Sequence, residues 1–491
     1  MYFLKGNFNK DKLGWVLFIL GFLFLIITSY IGLTKLGVWY DEIYSIAFVQ
    51  LPFEEMLNLG LQDVHPLLYY LIFKVFFKLF TLVGFTNVIV IGKIVSLIPF
   101  YLLGALILFK VRKNWGMLTA GLFFLCLCSM PQLMIYAVEI RMYSWGLFFV
   151  TASFIYAYEI IKEPSFRNWT VLTILTICSA YTHYFSAIAS FVIYLILLFY
   201  IIRYNKELFK KWFISALIAV LAFLPWIFVV FNQISTISNN YWIDPISLNT
   251  VISCFYYVLS PANIFIQANE LLAPTILGSI FILIFIVLFF KQRNKFAFMG
   301  LLTFMAVPAI GIVISLLVDP FFHQRYMIPA LGCLWLAFSI VLSKFYSNKK
   351  IFIPVLCFIL LIGVIGTVDF INMQNADDIN TKEDCTNLNN LIGSGNIIFN
   401  DFFPTYFEFC YFYSPDNHHL CWSEDIINNI ELALEDPGIK NEINRGSKVF
   451  YIDGGNSNLE ELENSNLTFT EVPFKTTLKD NEFNIYELHV N

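Results

Sequence analysis

The sequence predicts an all-α polytopic membrane protein of about 11 transmembrane helices, N-terminus inside, followed by a small extracytoplasmic α/β domain. Three observations carry this expectation. Of 491 residues, 58% are hydrophobic, only 13% are charged and 54 are phenylalanine, so most of the surface must face lipid. Apolar stretches long enough to span a bilayer recur as far as residue 368. From 369 onward the composition turns polar, with 22 acidic and 6 basic residues.

The spanning stretches fall at 14–34, 88–109, 116–136, 143–161, 168–184, 186–202, 212–232, 271–290, 296–317, 326–343 and 351–368. The pair 168–184 and 186–202 is short for two spans, and its boundary stays open. A twelfth candidate, 66–83 (PLLYYLIFKVFFKLFTLV), carries Lys74 and Lys78 four residues apart, on one helical face. Charge decides its status. If 66–83 lies in the interface, the cytoplasmic segments hold 18 of the 24 Lys and Arg before residue 369. If it crosses, nearly every later basic cluster moves outside. The positive-inside rule therefore makes 66–83 an amphipathic surface helix. The first apolar segment has no convincing cleavage site and reads as a retained anchor.

This topology puts the loop at 35–87 and the tail on the same, outer side. The domains are then a membrane module, 1–368, whose first outer loop is 35–87, and a soluble domain, 369–491. Within the tail NIIFND, KVFYIDGG and FNIYELHV read as strands among helices. The nine cysteines show no metal spacing, and the tail's Cys385, Cys410 and Cys421 make no clean disulfide framework. Nothing in the charge pattern suits nucleic acid.

The informative residues are polar groups at outer span ends. Directly after the first span the chain reads VWYDEIYSIAFVQLPFEEMLNLGLQDVHPLLYY, placing Asp41, Glu42, Glu54, Glu55, Asp63 and His65 in one loop. Further on come Glu139-x-Arg141-Met-Tyr143, then His183 in YTHYF, then His323-Gln324-Arg325-Tyr326. Ionisable groups at this depth cost several kcal/mol unless they are paired or in a wet cavity. Each has a plainer reading. Asp41 can cap the helix that EIYSIAFVQ starts, with Glu42 in its first turn. His65-Pro66 can be a simple helix start. Glu139 and Arg141 can pair with each other, and Arg325 can snorkel to headgroups. His183 alone can be a hydrogen-bonded core histidine, and Glu54-Glu55 a solvated face. What argues against reading each one separately is their convergence on one membrane face.

No Walker-type glycine loop and no Asp-x-Asp is present, so a nucleotide-bound donor is not indicated. A lipid-linked donor suits an outer-face site better. Glycosyl transfer from a polyprenyl phosphate needs cations for the leaving phosphate and one carboxylate base for the acceptor hydroxyl. Arg141 and Arg325 suit the phosphate, because guanidinium forks match its oxygens. Asp41 suits the base.

The order W-Y-D-E, D-x-H-P-x-L-Y-Y, E-x-R-M-Y, a histidine after the fifth span and R-Y at the tenth resembles membrane glycosyltransferases of the GT-C fold. It is most similar to the protein O-mannosyltransferase and aminoarabinose-transferase-like group, which uses polyprenyl- or dolichyl-phosphate sugars. The resemblance implies Asp41 as general base and Glu42 as its partner or as an acceptor ligand. It gives Arg325-Tyr326 to the lipid phosphate and Glu139 to the active site or a metal. His65, Arg141, Tyr143, His183 and His323 complete the expected substrate and phosphate site. The family's His-Pro-Pro-Leu-Tyr stands here as His65-Pro66-Leu67-Leu68-Tyr69, with Leu67 replacing the second proline. Some members of the fold use a divalent ion (Mg, Mn or Zn) and others do not; Asp63, His65 and Glu139 offer ligands for one. No other cofactor is expected. The implied partners are the lipid-phosphate sugar, membrane lipids and an acceptor protein, lipid or glycan at the outer face of a cell membrane.

Two alternatives remain. An oligosaccharyltransferase or glycan ligase would be expected to carry Trp-Trp-Asp or to lean on arginine and histidine; Tyr241-Trp242-Ile243-Asp244 only echoes the former. A lipid-linked sugar transporter would show internal repeats and charges within its spans.

Overall fold

The computed structural model describes residues 2–61, 63–237, 243, 245–259, 272–422, 425–454, 459–477 and 483–490. Tyr241, Trp242 and Asp244 lie outside them. Each of the eleven apolar stretches is mainly helical in its described residues, with non-helical breaks at Gly116, Met130 and His183. Among the described residues, eight helices are long and apolar enough to cross a membrane: Asn9–Thr34, Val88–Trp115, Tyr143–Lys162, Tyr184–Tyr204, Lys206–Phe231, Lys295–Leu317, Gln324–Lys344 and Lys349–Ile392. A broken pair, Met117–Ser129 and Pro131–Val138, makes a ninth. Two further helices, Phe166–Thr182 of 17 residues and Leu272–Gln292 of 21, cover the remaining stretches. The segment expected at the surface forms Leu68–Leu82, 15 residues long. At 1.5 Å per residue it reaches about 22 Å, short of the ~30 Å hydrocarbon core.

Stretch 116–136 reads as one span in the sequence, but the structure bends it by 68° at Met130. The cause is local. Pro131 disfavours the α conformation in the residue before it, and Met130 is extended at φ −76°, ψ 134°. Proline is then well placed at the first turn of the helix that follows.

The chain divides into two compact units. The first comprises Met1–Thr34, Glu54–Phe80 and Ile91–Met373 and holds the bulk of the membrane helices. Its tightest seam joins the N-terminal helix to Met117–Ser129. A Cβ on Gly14 would strike the backbone of Met117 and Leu118, and one on Gly121 would strike the Gly14 carbonyl. Lipid offers helices no hydrophobic drive to associate, so this close approach supplies the dispersion contacts instead.

The second unit comprises Lys35–Phe53, Thr81–Val90 and Gln374–Asn491. Among the described residues, five strands form one mixed sheet: β1 (Ile397–Asn400), β2 (His418–Cys421), β3 (Val449–Asp453), β4 (Thr468–Val472) and β5 (Asn484–His489). The order is β2-β1-β3-β5-β4, with β1 parallel to β2 and β3, and β5 antiparallel to β3 and β4. Phe399 pairs with Tyr451 and Tyr451 with Tyr486, and these side chains pack against Ile430 and Leu488. The three strands expected from sequence are β1, β3 and β5.

The tail has no loop at its start. Lys349–Ile392 is a single helix of 44 residues, its first half apolar and its second half polar. The polar half holds the chain around Leu36. Leu36 N–H donates to Asp378 Oδ1 at 2.9 Å and Val38 N–H to Thr381 Oγ1 at 3.2 Å. The next helix, Tyr40–Gln50, carries Asp41 and Glu42 in its first turn, and its Tyr44 meets Phe407 edge-to-face at 6.3 Å.

Candidate functional site

Two histidines start helices in the first unit by the same device. His183 is extended (φ −164°, ψ 139°) and sits between Phe166–Thr182 and Tyr184–Tyr204, so it is the boundary that the sequence leaves open. Its Nδ1 accepts the Phe185 N–H at 3.1 Å, satisfying one of the donors that a helix start leaves exposed. His323 likewise accepts the Arg325 N–H on Nδ1 at 3.2 Å. A neutral imidazole that accepts on Nδ1 must carry its proton on Nε2. Both rings therefore present an Nε2–H donor away from the cap.

Burial and charge keep His183 neutral. It is only 2% exposed. Burial first, then the Arg141 and Arg325 guanidiniums, push its pKa down to about 3. His65 is held well below the ordinary histidine value by burial, then by Arg141, His183 and Arg325. The two rings stack at 5.6 Å with 27° between planes.

Around them the site closes with aromatic rings and the two arginines. Tyr143 lies 5.4 Å from His183, and Tyr326 lies 5.1 Å from it. Tyr326 also stacks on Phe185 at 4.8 Å and meets His323 at 6.1 Å. The Arg325 guanidinium sits 6.0 Å from the Tyr143 ring and 5.8 Å from that of Tyr326. Arg141 Nη1 donates to Tyr70 Oη at 3.3 Å. Both arginines are buried. Among the described residues, His183 Nε2 and Tyr143 Oη are buried without a hydrogen-bond partner. Leaving such donors unsatisfied costs roughly 1–3 kcal/mol each, which a ligand that accepts from them would recover.

The structure thus brings together His65, Arg141, Tyr143, His183, Arg325 and Tyr326, with His323 against Tyr326. Asp63 lies on the same unit, its carbonyl accepting from Gln233 Nε2, and Glu139 is buried with its carbonyl accepting the Arg141 N–H at 2.7 Å. Among the described residues no three His, Cys, Asp or Glu side chains form a metal-holding group. Asp63, His65 and Glu139 do not make such a set.

Asp41 and Glu42 belong to the second unit. Asp41 is not the helix cap; Trp39 takes that place. Glu42, buried, accepts the Trp39 N–H on its carboxylate at 3.2 Å, while its own N–H donates to the Trp39 carbonyl at 2.9 Å. Glu42 therefore secures the helix start, and the neighbouring Asp41 is half-buried.

Three residues of the site were not singled out in the sequence: Tyr70, Tyr136 and Tyr257. Tyr136 packs edge-to-face on Tyr143 at 5.0 Å and accepts from Tyr257 Oη at 3.2 Å. Tyr70 carries a signal in its place in HPLLYY, directly after His65. The other two are tyrosines in apolar runs, a pattern that the chain repeats often.

As an arrangement, two guanidiniums, neutral imidazole N–H donors and phenols in a desolvated setting have the chemistry to hold an anion. The cations counter the charge, and the fixed donors orient its oxygens.

No family model and no curated protein matches the chain. Solved structures do. ArnT from Cupriavidus metallidurans in the apo state aligns with TM-score 0.60 and 11% identity, over 97% of this chain and 98% of ArnT. The same protein bound to undecaprenyl phosphate aligns with TM-score 0.56 and 10% identity, over 96% and 98%. The archaeal oligosaccharyltransferase AglB from Archaeoglobus fulgidus, in complex with an inhibitory peptide and a dolichol-phosphate, gives TM-score 0.46 and 10% identity over 88% and 69%. The chain has the fold of ArnT, and the GT-C architecture expected from its motif order holds.

Proposed function

We propose that this chain is an inverting membrane glycosyltransferase. It moves a sugar, mannose-like or a modified pentose or hexose, from a polyprenyl- or dolichyl-phosphate carrier to a hydroxyl of an acceptor protein, lipid or glycan. The observation that carries the reading is the buried donor cluster of Arg141, Arg325, His183 Nε2–H and Tyr143 Oη at one end of the membrane helices. A chain with this cluster on a fold shared with ArnT, itself crystallised with undecaprenyl phosphate, is suited to a lipid phosphate. The 18 of 24 basic residues that fall at the opposite span ends support placing this site on the outer face.

In the proposed reaction Asp41 accepts the acceptor's hydroxyl proton. The oxygen attacks the anomeric carbon, and the bond from that carbon to the phosphate oxygen breaks with inversion. The electron pair stays on the phosphate, whose added charge Arg141 and Arg325 stabilise. Because that charge grows toward the transition state, cations fixed in a low-dielectric pocket lower the barrier and do more than tighten binding. His65 and His183 stay neutral and donate; His323 and Tyr326 support Arg325. Glu42 partners Asp41 by fixing the turn that presents it.

The test uses membranes containing the full chain and a panel of undecaprenyl-phosphate-linked sugars, reading release of undecaprenyl phosphate. Wild type is expected to turn over at least one donor. Asp41→Asn should lose about 10²–10⁴-fold in rate while retaining lipid-phosphate binding. Arg325→Ala should weaken binding as well. Full transfer by Asp41→Asn would remove the base assignment, and binding without release for every donor would overturn the enzymatic reading.

A further inference from the structure

The helices that present the histidine–arginine cluster at one end gather a second group of residues at the other. Tyr143–Lys162 begins at the cluster and ends beside a cavity with Tyr158. Tyr184–Tyr204 begins next to His183 and ends at the same cavity with Tyr200 and Tyr204. Lys295–Leu317 runs the other way, from Lys295 and Phe298 at the cavity toward His323. The 21 residues of Tyr184–Tyr204, at 1.5 Å each, separate the two groups by about 30 Å, one hydrocarbon thickness. The cavity therefore lies at the opposite membrane face.

Its volume is about 810 Å³, within the range that encloses organic ligands. The walls are apolar and aromatic, with Tyr158, Tyr200, Phe289 and Phe298 among them. Among the described residues, the charged ones lining it are Arg293 and Lys295, both exposed, and no carboxylate lines it. Lys295 Nζ donates to Tyr204 Oη at 3.3 Å and lies 5.1 Å from its ring, while the Arg203 guanidinium lies 5.3 Å from that ring. The nearby Glu159 is already engaged by Lys110 at 2.8 Å, so it does not neutralise this edge.

We propose that this cavity is a binding site for an anionic phospholipid. Its phosphate meets Arg293 and Lys295, and an acyl chain enters among Tyr158, Tyr200, Phe289 and Phe298. The aromatic walls decide for a lipid over a soluble anion. A free phosphate gains nothing from them, whereas an acyl chain makes dispersion contacts along the rings. The cationic edge decides for an anionic headgroup over a zwitterionic one.

The experiment uses the full chain in detergent, titrated with short-chain phosphatidylglycerol, phosphatidylcholine or inorganic phosphate, and read by native mass spectrometry and thermal shift. Phosphatidylglycerol should bind at least tenfold more tightly than phosphatidylcholine, and phosphate alone should give no shift. Arg293→Gln with Lys295→Gln should remove the preference tenfold or more. Met299→Trp fills the cavity while leaving the charges, and should weaken both lipids. Lys210→Gln with Lys211→Gln, an exposed basic pair outside the cavity, should change neither. Equal binding of the two lipids, an unchanged preference in the Arg293/Lys295 variant, or a matching shift with phosphate alone would each overturn the proposal.

Discussion

Lowering the pH should unfold this protein through His183, and the size of the effect follows from its surroundings. The ring is neutral in the folded state because burial and two arginines hold its pKa at about 3. In the unfolded chain it returns to about 6.5. Below that value the unfolded state takes up a proton that the folded state refuses. The stability contribution is therefore complete above pH 6.5 and falls as the pH drops toward 3. At pH 5 the gap of 1.5 pH units corresponds to roughly 2 kcal/mol from this one residue. The assay is thermal inactivation of the detergent-solubilised protein between pH 8 and 5, comparing wild type with His183→Phe, which keeps an aromatic ring and cannot titrate. Wild type should lose about 2 kcal/mol more than the variant over that range. A phosphate bound beside the same ring reverses the local field, so adding undecaprenyl phosphate should raise the histidine pKa and shrink the pH dependence. Parallel pH profiles for wild type and His183→Phe would refute the argument that this ring is buried, neutral and flanked by cations.

Two further outcomes follow from other parts of the molecule. Gly121→Leu should destabilise the protein by about 1–3 kcal/mol through collision with the N-terminal helix, read as a drop in melting temperature. Combining it with Gly14→Leu should cost less than the sum, because both act on one seam. In the tail, burial and then Asp401 push the Cys421 thiol up to about 12. At pH 8 its maleimide labelling in the folded protein should run about three orders of magnitude slower than that of an exposed thiol, and recover on denaturation.

The membrane helices were legible because hydropathy is a strong signal over about 20 residues. The break at Met130 was less so: Pro131 marked a place for it, but a proline inside an apolar run reads equally as a kinked span. Strands β1 and β3 were readable as dense apolar runs, all of whose residues are buried. Strands β2 (HHLC) and β4 (TFTEV) escaped because they are the edge strands of the sheet, partly exposed and with little apolar continuity. For the site, residue types and span ends sufficed to pick out Arg141, His183 and Arg325. What the sequence could not supply was the proton on each ring. That depends on which nitrogen caps a helix, a matter of backbone placement within about 3 Å. The plainer reading of Asp41 as a helix cap falls two residues from the observed cap, since Trp39 has no side-chain feature of an N-cap.

The 44-residue helix bears on how the tail should be regarded. A passenger domain hangs from a flexible tether and can be shed at the membrane surface without disturbing what lies behind it. Here a cut near residue 369 would fall inside a continuous rod. It would also take away Asp378 and Thr381, the acceptors for the N–H groups of Leu36 and Val38. Those two residues lead directly into Trp39, Asp41 and Glu42. The polar domain is therefore a brace for the acidic turn, and shortening the chain at the apparent end of its membrane portion would let go of the loop that carries its carboxylate pair.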